Sequence, residues 1–116
     1  MKIVYFSLTG NIKRFVDKIN YDCISGNADM LVSENFVLIT YTINFGEVPK
    51  NVDIFLKNNH HKLIGVVGSG NTNWGSSYCK AADIISEKYN VKMLQKFELS
   101  GNKHDVQRFN KIIREL

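Results

Sequence analysis

The chain has 116 residues, 44% of them apolar and 22% charged, with 15 basic against 11 acidic side chains and a formal net charge of +4. That length suits one domain, 1–116, and the balance excludes a disordered, collagenous or coiled-coil chain. Apolar runs stop at about six residues, far short of the roughly 20 that span a bilayer, and MKIVYFSLTG has no signal-peptide cleavage pattern, so a cytoplasmic protein with no membrane segment is expected.

The charge excess favours an acidic ligand or partner, but it is too diffuse to indicate nucleic acid, because no short stretch is mainly Lys and Arg. Cys23 and Cys79 have no C-x-x-C partners. They read as small buried hydrophobes, not as zinc ligands or a disulfide, and neither opens the C-x5-R loop of a cysteine phosphatase. His60, His61 and His104 have no carboxylate or serine at a readable spacing. No catalytic residue and no metal site is therefore assigned.

In chain order, Lys2 to Phe6 is a β-branched and aromatic run, the pattern of a buried strand. Asn11 to Ile19 places Ile12, Phe15, Val16 and Ile19 on one helical face. Tyr21 to Asn35 is hard to read: Asp22 to Ile24 suggests a short strand, and Ser25, Gly26 and Asn27 a turn. Phe36 to Tyr41 is a second buried strand. Pro49 suits the first turn of a helix whose stripe is Val52, Phe55 and Leu56. Leu63 to Val67 is a third buried strand, and the loop Gly68 to Gly75 follows it. Tyr78, Ala81, Ala82, Ile85 and Tyr89 then share a helix face. Val91 to Phe97, with two lysines, reads as an edge strand, and Val106, Phe109, Ile113 and Leu116 mark a last helix. Repeated βα units predict a doubly wound parallel α/β sheet of about five strands, with helices on both faces. Ligands of such sheets bind outside the carboxyl ends of the strands.

Three loops leave those ends. Ser7, Leu8, Thr9, Gly10 and Asn11 offer short donors and a flexible backbone ahead of a helix. They fit either a phosphate cradle without lysine or an ordinary helix cap. The spacing is neither G-x-G-x-x-G nor G-x-x-x-x-G-K-[ST], which disfavours a dinucleotide or an NTPase. In the second loop, Thr42, Asn44, Phe45 and Gly46 allow a sharp turn that presents backbone groups, although Phe45 could equally close the core. In the third, Ser69, Gly70, Asn71, Trp74 and Gly75 surround an indole. With Phe45, Tyr41 and Tyr78 it could wall a flat ring; the alternative is a plain turn. A monophosphate at one end and a planar ring at the other describe flavin mononucleotide (FMN) in a flavodoxin-like fold.

The segments S-L-T-G-N-I-K-R-F (7–15), T-Y-T-I-N-F-G-E-V-P (40–49), G-S-G-N-T-N-W-G (68–75) and K-F-E-L-S-G (96–101), with Asp105-Val106, resemble the NrdI family, the flavodoxin-like proteins of class Ib ribonucleotide reductase. The resemblance implies FMN, with phosphate contacts from Ser7, Thr9, Gly10 and Asn11. It sets Thr42, Asn44, Phe45, Gly46, Ser69, Gly70, Asn71, Trp74 and Gly75 around the ring, with Glu98 and Leu99 at its edge. It also implies that reduced flavin reacts with O2 and that the oxidant, superoxide, passes through a channel to a dimanganese site in the reductase small subunit, where the tyrosyl radical cofactor is assembled. The manganese would be the partner's, and an electron donor such as a flavodoxin reductase or a redoxin would feed the flavin. No nucleic-acid or membrane partner is implied. Many relatives carry Gly where this chain has Asn44, at a peptide expected to flip on flavin reduction. The competing function is a short-chain flavodoxin carrying single electrons. Ordinary flavodoxins are strongly acidic, and a charge of +4 disfavours docking on their basic partners.

Overall fold

The strand-forming runs bury both of their faces, and each face receives its own pair of helices. In the computed structural model, which describes residues 1–116, the strands are β1 (Lys2–Tyr5), β2 (Ile24–Ser25), β3 (Phe36–Thr40), β4 (Leu63–Gly70) and β5 (Lys92–Glu98). The helices are α1 (Asn11–Val16), α2 (Lys50–Asn59), α3 (Lys80–Tyr89) and α4 (Lys103–Arg114). All strand pairs are parallel, in the order β2-β1-β3-β4-β5. The chain leaves β1 toward one edge and resumes at β3 on the other side, so the switch point lies between β1 and β3.

Side-chain alternation sorts the core into two layers. On one face Ile3, Tyr5, Val37, Ile39, Val67 and Phe97 meet Ile12, Phe15 and Val16 of α1 and Phe109 and Ile113 of α4. Phe15 stacks on Phe97 at 3.9 Å between ring centroids and stands edge-on to Phe109 at 5.4 Å. On the other face Val4, Phe6, Phe36, Leu38 and Val66 meet Val52, Phe55 and Leu56 of α2 and Ala82 and Ile85 of α3. Phe55 there packs edge-on against both Phe6 and Phe36.

Several boundaries differ from those expected. The first helix ends at Val16, not Ile19, because the Lys18 N–H turns back to the Phe15 carbonyl and tightens the last turn. Ile19 still packs on the core from outside the helix. The short strand is Ile24–Ser25, aligned with Val4 and Tyr5, so Ser25 extends the sheet edge and does not begin the turn. Pro49 is the N-cap of α2 and lies just outside its first turn. Strand β4 runs on to Gly70, and the third loop starts at Asn71. Tyr78 and Cys79 precede α3 with non-helical and left-handed backbone, so Tyr78 is not on its helical face. Leu116 lies beyond α4 and is 55% exposed.

The stretch that was hard to read is held down by Asn59, a polar side chain only 1% exposed. Its amide donates to the carbonyls of Met30 and Phe55 and accepts from the Val32 N–H, each at 2.8 Å. One α2 side chain thereby supplies partners where residues 31–34 make no backbone–backbone hydrogen bonds.

Candidate functional site

A cleft of about 490 Å³ opens at the carboxyl ends of the strands, within the usual size range of small-molecule sites. From the first loop it is lined by Ser7, Leu8, Thr9 and Asn11, and by Ile12 behind them. Tyr41, Thr42, Ile43 and Asn44 form a second wall, and Ser69, Gly70, Asn71, Trp74, Ser77 and Leu99 the remainder. Thr9 and Trp74, far apart in sequence, thus face one cavity. No Asp, Glu, Lys or Arg lines it.

At the first loop, none of the backbone N–H groups from Ser7 to Ile12 donates to another group of the chain. Gly10 turns the loop at φ 90, in left-handed space that suits glycine. The Ser7 hydroxyl accepts from the Lys13 N–H at 3.3 Å, and the Asn11 amide donates to Thr9 Oγ1 at 3.3 Å. Helix α1 has only six residues, so the free loop donors, more than any long helix dipole, make this end attractive to an anion.

The second loop is a tight reversal. Ile43 and Glu47 bridge across it, and Asn44 (φ 51) and Gly46 (φ 113) take left-handed backbone between them. The Asn44 amide donates to the Glu47 carboxylate at 3.1 Å. Ser77 Oγ donates to the Phe45 carbonyl, tying this loop to the third, and the Ala81 N–H donates to Thr42 Oγ1, tying it to α3. The N–H groups of Asn44, Phe45 and Asn71 have no acceptor in the chain.

The third loop winds as two short 3-10 turns over Thr72–Ser77, kinked at Gly75 (φ 57), and the first is capped by the Asn71 side chain, which accepts from the Asn73 N–H. It is latched to β5 by Glu98, whose carboxylate accepts from the Thr72 N–H and hydroxyl and is thereby held below its ordinary pKa. Gly70 serves packing: a Cβ there would come within 2.9 Å of the Cys79 backbone nitrogen. Burial raises the Cys79 thiol to about 11 and Tyr78, beside it, to about 12. Burial likewise raises Cys23 to about 11. Neither thiol is an activated nucleophile at neutral pH.

Ten of the fifteen residues expected from the sequence line the cleft, and Gly10, Phe45, Gly46, Gly75 and Tyr78 do not. Gly10, Gly46 and Gly75 shape the backbone at positive φ. Phe45 is 84% exposed and stands edge-on to Trp74 at 6.1 Å. Ile12, Ile43 and Ser77 line the cleft without having been singled out. The first two read as core positions, and nothing in the sequence brings Ser77 opposite Phe45.

Residues 3–111 match the family described as NrdI Flavodoxin like. The chain belongs to the NrdI family. It is 44% identical to Protein NrdI of Macrococcus caseolyticus over 117 aligned positions, covering all of this chain and 91% of that one. With Protein NrdI of Bacillus licheniformis the identity is 45%, covering all of this chain and 89% of that one. Among solved structures, the Streptococcus pneumoniae TIGR4 flavodoxin superposes with a TM-score of 0.75 at 27% identity, over 99% of this chain and 95% of that one. A short-chain flavodoxin associated with a non-canonical PDU bacterial microcompartment gives 0.74 at 21% identity, over 99% and 94%, a likeness of fold. The doubly wound, flavodoxin-like architecture expected from the sequence is therefore the one present. NrdI proteins bind FMN and are associated with ribonucleotide reductase.

The NrdI cleft suits that cofactor on three counts. Its first loop carries consecutive free N–H donors, as an anionic phosphate needs. Its opposite end has an indole and further free N–H groups, suited to an aromatic ring with acceptor edges. Its lining is uncharged, so no buried carboxylate opposes a ring that gains negative charge.

Proposed function

We propose that this protein holds FMN with its phosphate against Ser7, Leu8, Thr9, Gly10 and Asn11. The ring lies between the 42–46 turn and the Ser69–Gly75 segment, beside Tyr78, Glu98 and Leu99. Bound FMN supplies the electrons that reduce O2. The resulting oxidant, superoxide, serves assembly of the dimanganese–tyrosyl radical cofactor in the small subunit of a class Ib ribonucleotide reductase, in the cytoplasm. A flavodoxin reductase or redoxin would be the electron donor.

The observation that carries this reading is the uncharged cleft at the switch-point end of the sheet, with free N–H donors at one end and an indole at the other. The residues have separate tasks. The loop N–H groups and the Thr9 hydroxyl bind the anion. Trp74 and Leu99 cover the ring and limit water. The free N–H groups of Asn44 and Phe45 meet its polar edge, and Gly70 lets the Tyr78–Cys79 segment, which follows Ser77, approach β4 closely. Leu8, Phe45, Trp74 and Leu99, each 45% or more exposed, surround the mouth as an apolar rim of the kind a protein partner covers.

The flavodoxin likeness at 27% identity supports a second reading, a single-electron carrier. One experiment separates them. The purified protein with FMN should give a yellow complex with flavin absorption bands. The reduced complex, mixed with O2, Mn(II) and the apo small subunit, should generate a tyrosyl radical signal. A radical yield no greater than with free reduced FMN would leave only the carrier. A chain that rejects FMN would end both readings.

A further inference from the structure

Because no cation lines the cleft, the phosphate end depends on the direction in which its neutral donors point. Arg14 stands directly behind that end. Its Nη2 donates to Asn11 Oδ1 at 2.7 Å and its Nε donates to Ser100 Oγ at 3.0 Å. Ser100 passes its own proton to the same Asn11 Oδ1, at 2.8 Å. The turn that carries Ser100 is held in turn by Lys18, whose ammonium donates to the carbonyls of Ser100 and Gly101. A side chain at Gly10 would meet Arg14 Nη1 at 2.9 Å, so the guanidinium lies under the loop itself.

Guanidinium has donors only, and a carboxamide has a donor end and an acceptor end. Arg14 therefore decides which way the Asn11 amide faces. With Oδ1 taken by Arg14 and Ser100, Nδ2 faces Thr9 and donates to its Oγ1. A hydroxyl that accepts there keeps its own proton free for the cleft, which Thr9 lines. With the amide reversed, Thr9 would give its proton to Asn11 and present only lone pairs to an anion.

We propose that Arg14, with Ser100, is a positioning residue that sets the Asn11 amide so that Thr9 acts as a donor to the flavin phosphate. The proposal rests on the reading that the phosphate occupies this loop, so the test separates the two. Dissociation constants for FMN and for riboflavin, which lacks the phosphate, are measured by flavin fluorescence quenching on the full chain and its variants. Losing a charge-assisted bond and reversing a donor should weaken FMN about tenfold in Arg14→Gln, with riboflavin changed less than about twofold. Ser100→Ala, which removes no charge, should act in the same direction by about threefold and covers the case that Arg14→Gln fails to fold. Arg14→Lys keeps the charge, but its compact ammonium lacks the planar fork that spans Asn11 Oδ1 and Ser100 Oγ in fixed directions, so it should recover only part of the preference. Variants that keep the native FMN-to-riboflavin ratio, that weaken both ligands equally, or an Arg14→Lys protein as selective as the native one, would overturn the proposal while leaving the loop as the phosphate site. A native chain with no preference for FMN would instead remove the phosphate from this loop.

Discussion

The two ends of the cleft, one proposed for the phosphate and the other for the ring, are built on different principles. At the phosphate end the backbone donors are left free, and their surroundings are fixed by side chains reaching from α1 to the Ser100 turn. At the ring end the backbone itself is bent. Of the four non-glycine residues at positive φ, Asn44 and Leu99 line the cleft and Cys79 backs Gly70, and Asn90 alone is elsewhere, at the end of α3. Left-handed conformations cost a non-glycine residue about 1–2 kcal/mol, so the ring end stores strain where the phosphate end does not. The phosphate end is thus a matter of charge and orientation, and the ring end one of backbone shape and aromatic cover. Substitutions at the two ends should then separate in their effects on FMN, riboflavin and stability.

The largest effect should come from Gly70→Ala. The new methyl would press on the Cys79 nitrogen at 2.9 Å and its sulfur at 3.0 Å, and a backbone neighbour cannot rotate away. Overpacking of this kind costs about 1–3 kcal/mol. Thermal melting of the flavin-free protein should fall by several degrees, and FMN and riboflavin should weaken together as β4 and the Tyr78–Cys79 segment part. A variant as stable as the native chain would mean that the ring end is loosely packed, contrary to its bent backbone.

Next in size is Trp74→Ala. The indole is 53% exposed and touches Phe45 at the rim, so stability should change by no more than about 0.5 kcal/mol. Affinity for both flavins should fall about tenfold, near 1.4 kcal/mol, because the lost surface covers the ring and not the phosphate. Titration with the two ligands checks this. A loss confined to FMN would mean that the indole acts at the wrong end.

The two-sided layering follows from patterns that repeat at every turn of the chain, whereas the strand order does not. The runs KIVY and FVLIT bury both faces, and Phe15, Phe55 and Phe109 fall on helical stripes, so any parallel arrangement with helices on both faces satisfies them. The carboxyl-edge loops were legible because glycine, asparagine and tryptophan cluster there, although glycine also lies inside β4 at Gly65 and Gly68. Contacts made once, between distant residues, were not legible. Asn59 reads as a polar helix end, yet its amide organises residues 30–32. Arg14 reads as the wet face of a helix, yet it reaches a serine in another turn. Gly70 looked like part of a flexible loop, but it ends a strand, with the Tyr78–Cys79 segment packed closely against it.

A smaller effect should be seen at Asn44. Asn44→Ala places a Cβ residue without a local polar partner at φ 51 and removes the bond to Glu47, a loss of about 1 kcal/mol. Asn44→Gly relieves the backbone but loosens the unfolded chain, and those terms nearly cancel, leaving it within about 0.5 kcal/mol of native. Urea unfolding of the flavin-free variants distinguishes them. Equal stability for Ala and Gly would show that the turn relaxes out of its left-handed form.

The smallest effect concerns acid. Glu98 has its pKa lowered by the hydrogen bonds from Thr72, so the folded state prefers the carboxylate more than the unfolded chain does. A group depressed in this way contributes stability that is complete above its ordinary value, near 4.5, and lost as pH falls through the lower folded value. Protonation would leave the Thr72 N–H without its acceptor and release the first turn of the segment that carries Trp74. The fully exposed setting of Glu98 keeps the effect local. Trp74 emission, the only indole signal in the chain, should therefore shift at acid pH, below the ordinary carboxylate range, before the far-ultraviolet circular dichroism changes. Thr72→Val removes the hydroxyl bond but keeps the N–H bond, so the emission transition should move to higher pH, toward the ordinary glutamate value, without vanishing. Glu98→Gln should abolish the transition. An emission change that persists unaltered in Glu98→Gln would assign the acid response to another carboxylate, and the ring end would then owe its shape to its left-handed residues alone.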